Sequence, residues 1–260
     1  MSHPGPFFGQ FDPPLDKVLF ERYFEGRQTP GVCIECGAFD GVTDSTCKFF
    51  EDALGWTAIN VEPYPWAFER LTRNRPNATN LKAALSNQDG CATFTAAIHP
   101  RLGPFFGNGS LSHQPAHRSD LEAMGCQFES YEVETLTYRR LLDSCQIEEV
   151  DLLVLDVEGH ELEVLRGFDC VSLERRPRIC CIEHGSIGLN ALRGAMHQLG
   201  YVFDGSAEVN SFFLRGDFSE IAGALFRHHE PGLAWDATQM EATLVGLWKA
   251  YEKLTEGREG

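Results

Sequence analysis

Short, dense apolar runs alternate with amphipathic stretches along most of this chain. The first run, Val32 to Cys36 (VCIEC), suits a buried strand and leads straight into Gly37 and Gly41. Thr43, Asp44 and Ser45 then offer capping oxygens ahead of CKFFEDAL, and Gly55 ends that segment, so the order is strand, glycine turn, helix. Trp56 to Val61 repeats the strand signal, Glu62-Pro63 breaks it, and Pro65 stands where a helix begins before WAFERLTRN. A third strand is expected over Asn80 to Leu85 and a short β segment over Cys91 to Ala97. From Ile98 to Gln127 the pattern lapses, and an irregular stretch of that length is expected to be a functional loop rather than a connection.

Beyond it, Tyr131 to Leu136 reads as extended and Tyr138 to Cys145 as helical. Asp151 to Val157 (DLLVLDV) gives a strong buried-strand signal, followed by Gly159 and the helical HELEVLRGF. Arg178 to Glu183 is a further strand, Ala191 to Leu199 a helix, and Tyr201 to Phe203 with Ser211 to Leu214 a terminal hairpin. Ahead of all this, Leu15 to Glu25 places Val18, Leu19, Arg22 and Tyr23 at helical spacing. Strands alternating with helices imply a doubly wound α/β fold, a mainly parallel sheet covered on both faces, with the hairpin adding antiparallel strands at one edge. The expected division is a lead-in helix in residues 1–30, a main domain over 31–215, and a helical extension over 216–260, in which Leu225, Leu244, Leu247 and Trp248 are apolar anchors. That extension is also the natural place for a second copy of the chain to pack.

Composition narrows the function. With 38 acidic residues against 22 basic ones the formal charge is -16, which repels a phosphate backbone and argues against a nucleic-acid partner. The clusters Arg70, Arg73, Arg75 and Arg139, Arg140 read as solvated helix faces. No apolar stretch reaches the length of a membrane span, and Met1 to Pro14 lacks the pattern of a signal peptide, so the expected location is cytoplasmic. The 9 cysteines are scattered through apolar runs and read as reduced core thiols; Cys33 and Cys36 lie within one strand, with no second pair at zinc spacing.

In an open parallel sheet, ligands bind beyond the carboxyl ends of the strands. Glu35, Glu62, Asp156 and Glu183 all fall at or near such ends. Around the first strand the spacing is E-x-G-x-x-x-G (Glu35, Gly37, Gly41), with Phe39 where a dinucleotide site places its central glycine. The turn thus offers a carboxylate instead of room for a pyrophosphate, which suits a cationic sulfonium nucleoside. Glu62, 21 residues after Gly41, is placed to accept hydrogen bonds from both ribose hydroxyls, a feature shared with nicotinamide enzymes. An NAD-dependent oxidoreductase and a catalytically silent nucleoside-binding protein are therefore the competing readings.

The run from Asp151 to Gly167 (DLLVLDVEGHELEVLRG) resembles the D-x-E-G-x-E signature of FkbM-type methyltransferases, and Glu62-Pro63, Gly109-Ser110-Leu111 and Ile182-Glu183-His184 match that family's other blocks in order. The likeness covers roughly Gly31 to Leu214. Two positions depart from the pattern: Val154 stands where the family often carries Lys, and Glu35 where it often carries Asp. The resemblance implies a class I, Rossmann-like methyltransferase fold, S-adenosylmethionine as donor, and O-methylation of a small molecule or glycan. It further implies that Glu35, Gly37, Asp40, Gly41 and Ser45 hold the methionine end, Glu62 the ribose, backbone near Ala84 the adenine, and that Asp156 lies beneath the transferring methyl.

An alcohol acceptor must lose a proton to a base or to a metal-bound group. The candidates are Asp156, Glu158, His160, Glu161 and His184. Period-two alternation would put Asp156 and Glu158 on one side of an extended segment, with Glu161 in the next turn, and such a group could raise one pKa or bind a divalent cation. A metal-free site is the default expectation, with His184 as base, Asp156 orienting the hydroxyl, and Glu158 alongside. Phe105 to Leu111, with hinge-like Gly107 and Gly109, is expected to close over the acceptor, where Ser110, His160 and Glu161 would contact it.

Overall fold

The computed structural model describes residues 5–216. In chain order its helices are α1 (Leu15–Leu19), α2 (Lys48–Leu54), α3 (Pro65–Asn74), α4 (Pro115–Ala123), α5 (Tyr138–Cys145), α6 (Glu161–Arg166) and α7 (Leu189–Gln198). Its strands are β1 (Val32–Cys36), β2 (Thr57–Val61), β3 (Thr79–Leu81), β4 (Ala84–Leu85), β5 (Gly90–Ile98), β6 (Gly109–Ser110), β7 (Gln127–Leu136), β8 (Leu152–Leu155), β9 (Ile179–Glu183), β10 (Tyr201–Ala207) and β11 (Asn210–Arg215).

Seven strands form the main sheet in the order β10-β11-β9-β8-β1-β2-β3. From β9 to β3 all pairings are parallel, while β11 runs antiparallel to β9 and β10 antiparallel to β11. The mixed α/β architecture with a mostly parallel sheet and an antiparallel edge is the expected one. Its strands read as continuous apolar runs because both faces are covered. On one face Ile34, Ile59, Leu153 and Ile182 pack with Leu141, Val164 and Leu192 from the helices. On the other, Cys33, Ala58, Leu152 and Cys181 pack with Leu19, Phe49, Phe50 and Trp56. The buried cysteines Cys33, Cys36, Cys47, Cys180 and Cys181 are free thiols serving as small core residues.

Three sequence expectations change. The single strand expected over Asn80 to Leu85 is two: β3 pairs with β2, then the chain bends at Lys82-Ala83 so that Ala84 and Leu85 pair with Thr135 and Leu136 of β7. An unbroken apolar run carries no mark of a change of partner. The short β segment over Cys91 to Ala97 is a nine-residue strand in a second sheet, β4-β7-β5-β6, whose long β5–β7 ribbon flanks the main sheet. The irregular stretch also contains α4, with Pro115 in its first turn and Leu121 as its buried residue; one inward residue in nine positions leaves no periodicity to read. The lead-in helix forms as α1 followed by a π-helical turn over Phe20–Phe24. The expected helical extension lies outside the described residues apart from Gly216.

Candidate functional site

The carboxyl ends of β1, β2 and β8 meet at one open cleft of about 1240 Å³, counting the part open to solvent. Its wall is made by the turn after β1, the Glu62-Pro63-Tyr64 corner after β2, the Asp156–Glu158 turn after β8, and the stretch 104–111 from the second sheet. This is where an open parallel sheet places a ligand: the helices after these strands start there and the backbone changes direction.

The turn after β1 is held at a very close approach to the turn after β8. Gly37 has φ +81°, and a Cβ at that position would collide with the Asp156 carbonyl oxygen. Gly37 N–H donates to Val61 O at 3.0 Å and Asp156 N–H to Cys36 O at 3.1 Å, so three strand ends are tied together at this point. Phe39 also takes a left-handed conformation, φ 48°, which turns its N–H onto Glu62 Oε2 at 2.8 Å.

The two buried carboxylates of this region differ in how much of their capacity is used. Glu35 is saturated: Oε1 accepts Thr46 N–H at 2.6 Å and Cys47 N–H at 3.2 Å, while Oε2 accepts the Ser45 hydroxyl at 2.7 Å and lies 3.6 Å from Arg75 Nη1. Glu62 accepts one backbone N–H on each oxygen, from Phe39 and from Tyr64 at 2.8 Å, leaving a lone pair on each. Burial pushes the Glu62 carboxyl up to about 7 against those two bonds.

Asp156, just past the end of β8, is exposed to the cleft. Desolvation there, with Glu161, Glu35 and Asp44 nearby, lifts its carboxyl to about 7. Glu158 also lines the cleft and is raised by burial and by Asp156, Glu183 and Glu161; Glu183 is pushed up to about 8 by burial, Asp156 and Glu161. Crowded carboxylates repel one another when ionised, which favours the protonated forms at this corner. The expected extended segment is absent, since β8 ends at Leu155 and Glu158 has φ 56° in a tight turn. That turn is fixed by Glu161, whose Oε1 accepts Val157 N–H at 3.0 Å and Gly159 N–H at 3.1 Å. Two carboxylates therefore reach the cleft through a turn and not through strand alternation.

Of the residues expected to contact cofactor or substrate, the cleft wall includes Glu35, Gly37, Ser45, Glu62, Ala84, Ser110, Asp156, Glu158 and His160. The structure does not bring Asp40, Gly41, Glu161 or His184 onto it. The Asp40 carboxylate accepts Val42 N–H, Thr43 N–H and the Thr43 hydroxyl, so it braces the turn. Glu161 is fully buried beneath the β8 turn. His184 Nδ1 is 2.9 Å from the Ser211 hydroxyl, at the far side of β9. His160 is buried and lies between two hydroxyls, Ser86 at 3.0 Å from Nε2 and Ser112 at 2.8 Å from Nδ1; desolvation lowers its pKa. Ser110 is tied into the wall, donating to Val157 O and accepting Ser112 N–H.

Two groups escaped the sequence reading. One is an aromatic wall beyond Glu62, where Tyr64 and Phe94 stack at 6.1 Å and Trp66 meets Phe105 edge-on at 4.7 Å. The other is Arg75, which is fully buried and not on a solvated face. Among the described residues no lysine or arginine lines the cleft and no cluster of side chains is arranged to hold a metal ion. No helix of the described residues is long and apolar enough to cross a membrane.

Comparison with known proteins gives the same region a family. The hexuronic acid methyltransferase AglP of Haloferax volcanii is 31% identical over 110 residues, which is 41% of this chain and 38% of that protein, so the match spans well under half of the relative's length. Among solved structures, the methyltransferase FkbM of Methylobacillus flagellatus superposes with a TM-score of 0.45 at 14% identity, over 75% of this chain and 47% of its own. The precorrin-6y C5,15-methyltransferase of Geobacter metallireducens gives 0.41 at 9% identity, over 80% and 89%. The family model described as the methyltransferase FkbM domain matches residues 35–203, from the carboxylate of β1 through the strand that closes the sheet edge, and the chain belongs to that family.

Proposed function

We propose that the protein is an S-adenosylmethionine-dependent O-methyltransferase acting on a hydroxyl of a small molecule or glycan. The observation that carries this reading is the pair of carboxylates lining one cleft on either side of the β1 turn: Glu62, with a free lone pair on each oxygen, and Asp156, whose backbone carbonyl abuts Gly37. Glu62 fits a ribose diol, Ala84 and the aromatic residues around Tyr64 fit an adenine, and the Gly37–Ser45 turn fits an amino-acid moiety. Glu35 acts there by shaping the turn, because its oxygens are already occupied.

When bound, the donor supplies a methyl group activated by its sulfonium, so the residues mainly align and deprotonate the acceptor. Asp156 and Glu158 are the acceptor-side carboxylates on the wall, and a carboxyl poised near 7 suits proton removal at neutral pH. With the donor bound, Asp156 or Glu158 would take up the acceptor's hydroxyl proton as the activated methyl group is transferred to its oxygen. His184 is not on the cleft wall, and its Nδ1 is bonded to the Ser211 hydroxyl. The loop 104–111, with Phe105 exposed, is the segment placed to cover the acceptor.

A nicotinamide cofactor suits the cleft less well, since Phe39 occupies the turn where a pyrophosphate needs a bare backbone. Calorimetric titration with S-adenosylhomocysteine and with NAD separates the two readings. Glu62→Ala removes two charge-assisted hydrogen bonds to the ribose, and the expected loss of S-adenosylhomocysteine affinity is about tenfold or more. Unchanged affinity in a folded Glu62→Ala variant refutes the ribose assignment.

A further inference from the structure

We propose that Arg75 is the positioning residue for the methionine end of the donor site, holding the turn 41–47 in its binding shape through Glu35, Ser45 and Gly41. The assignment rests on the donor reading above. Arg75 caps the end of α3, its N–H bonded to Leu71 O at 2.8 Å, and its side chain runs inward at 1% exposure. Nη1 donates to Gly41 O at 3.3 Å and to the Ser45 hydroxyl at 3.2 Å, and lies 3.6 Å from Glu35 Oε2; Nε pairs with Glu51. The aliphatic stem fills the space in front of Gly41, where a Cβ would meet Arg75 Cγ at 2.7 Å and Leu71 Cδ1 at 2.6 Å. Gly41 is therefore required as much by the arginine behind it as by its own φ of +77°.

The energetics point to a role in the site and not in the bulk stability of the fold. A buried ion pair is seldom a net gain over apolar residues of equal volume. Here the cost is larger, since Nη2 is buried with no hydrogen-bond partner. What the guanidinium provides is a fixed positive charge against Glu35, which is 4% exposed and without Arg75 would keep its three other donors but lose its counter-charge. Ser45 sits between the two, its hydroxyl donating to Glu35 while accepting from Arg75 and from Lys48 N–H. Ser45 and Glu35 line the cleft, whereas Arg75 stands behind it, so it acts through them. It makes no hydrogen bond or ion pair with Glu62, Tyr64 or Ala84 at the nucleoside end.

That polarity defines the test. S-adenosylhomocysteine carries nucleoside and amino-acid moieties, and 5′-methylthioadenosine carries only the nucleoside with its thioether. Calorimetric titrations of wild type, Arg75→Met and Arg75→Lys with both ligands give the ratio of the two affinities. Arg75→Met is expected to weaken S-adenosylhomocysteine by about tenfold or more while leaving 5′-methylthioadenosine within about threefold, and Arg75→Lys to fall between, because it restores charge without the fork. Equal loss for both ligands, or no loss for either, overturns the assignment by reducing Arg75 to general packing or to irrelevance. If Arg75→Met does not fold, Arg75→Lys carries the same ratio test. A wild-type protein that binds neither ligand overturns the donor reading itself, while wild-type binding with an unchanged ratio overturns Arg75 alone.

Discussion

Replacing Gly37 by alanine tests whether the close approach of the β1 and β8 turns is built as described. The backbone at Gly37 has φ +81°, and placing an L-residue there costs about 1–2 kcal/mol. The added Cβ also collides with the Asp156 carbonyl oxygen and lies 3.0 Å from its carbonyl carbon. Both are backbone atoms, and they are anchored by the Asp156 N–H bond to Cys36 O, so no side chain can rotate away. Overpacking against such a rigid neighbour belongs near the upper end of the usual range, about 3 kcal/mol, for a total of about 4–5 kcal/mol. Gly55 is the internal control: it also has positive φ, +66°, but nothing stands within 4 Å of its virtual Cβ, so Gly55→Ala should cost only the conformational part, about 1 kcal/mol. Urea unfolding of the two variants beside wild type gives the difference directly. A Gly37→Ala variant no less stable than Gly55→Ala refutes the apposition of the two turns, and with it the placing of Asp156 beside the β1 turn.

The raised carboxyls predict how stability depends on pH. Glu62 titrates near 7 in the folded protein against an ordinary value of 4.5, so its protonated form is favoured by folding, the stabilisation is complete below 4.5, and it is lost as pH rises through about 7. That amounts to roughly 3 kcal/mol for Glu62, with Asp156 and Glu183 acting in the same direction up to about 8. Unfolding free energy measured in urea should therefore be larger at pH 6 than at pH 8, and equal or greater stability at pH 8 contradicts the shifts. The cleft's charge predicts its acceptor preference: with Asp44, Asp156 and Glu158 on the wall and no lysine or arginine lining it among the described residues, a neutral glycoside should be methylated at least about tenfold more efficiently, in kcat/KM, than the matching uronate. A preference for the uronate refutes this electrostatic reading.

The parts of the fold legible in the sequence were those in which one apolar run made one strand. VCIEC, TAINV and LLVL are buried on both faces and bounded by glycine, proline or acid, so length and flanks identified them. The second sheet was hidden because β4 has only two residues and pairs with a strand some 50 positions away, a relation that local pattern does not encode. At the site, the strand-tip position revealed Glu35, Glu62 and Asp156, since the topology of a parallel sheet delivers those ends to one edge. Glu158 was expected at the right place for the wrong reason, because alternation was extended past the end of β8. Arg75 was misplaced on a solvated face because charge at a helix end reads as exposed, and only the buried Glu35 and Glu51 opposite it show otherwise.

Counting the donors on each carboxylate separates the residues that build the cleft from those that remain open to a ligand. Glu35 and Asp40 spend their bonds on nearby backbone or hydroxyl groups and fix the turns 45–47 and 42–43, while Glu161 fixes 157–159 through Oε1 alone, its Oε2 being buried without a partner among the described residues. Glu62 is half-used and buried, so it carries a desolvation cost, whereas Asp156 is exposed to the cleft with no hydrogen bond to the described residues through its side chain. An unfolded chain would hydrate Glu62 at no such cost, so the fold alone gives no reason for it to be there. A ligand that donates a diol to Glu62 offsets that cost, and the open Asp156 is left to face whatever lies beside it, which is why acidic residues at strand tips become informative only after their internal bonds have been counted.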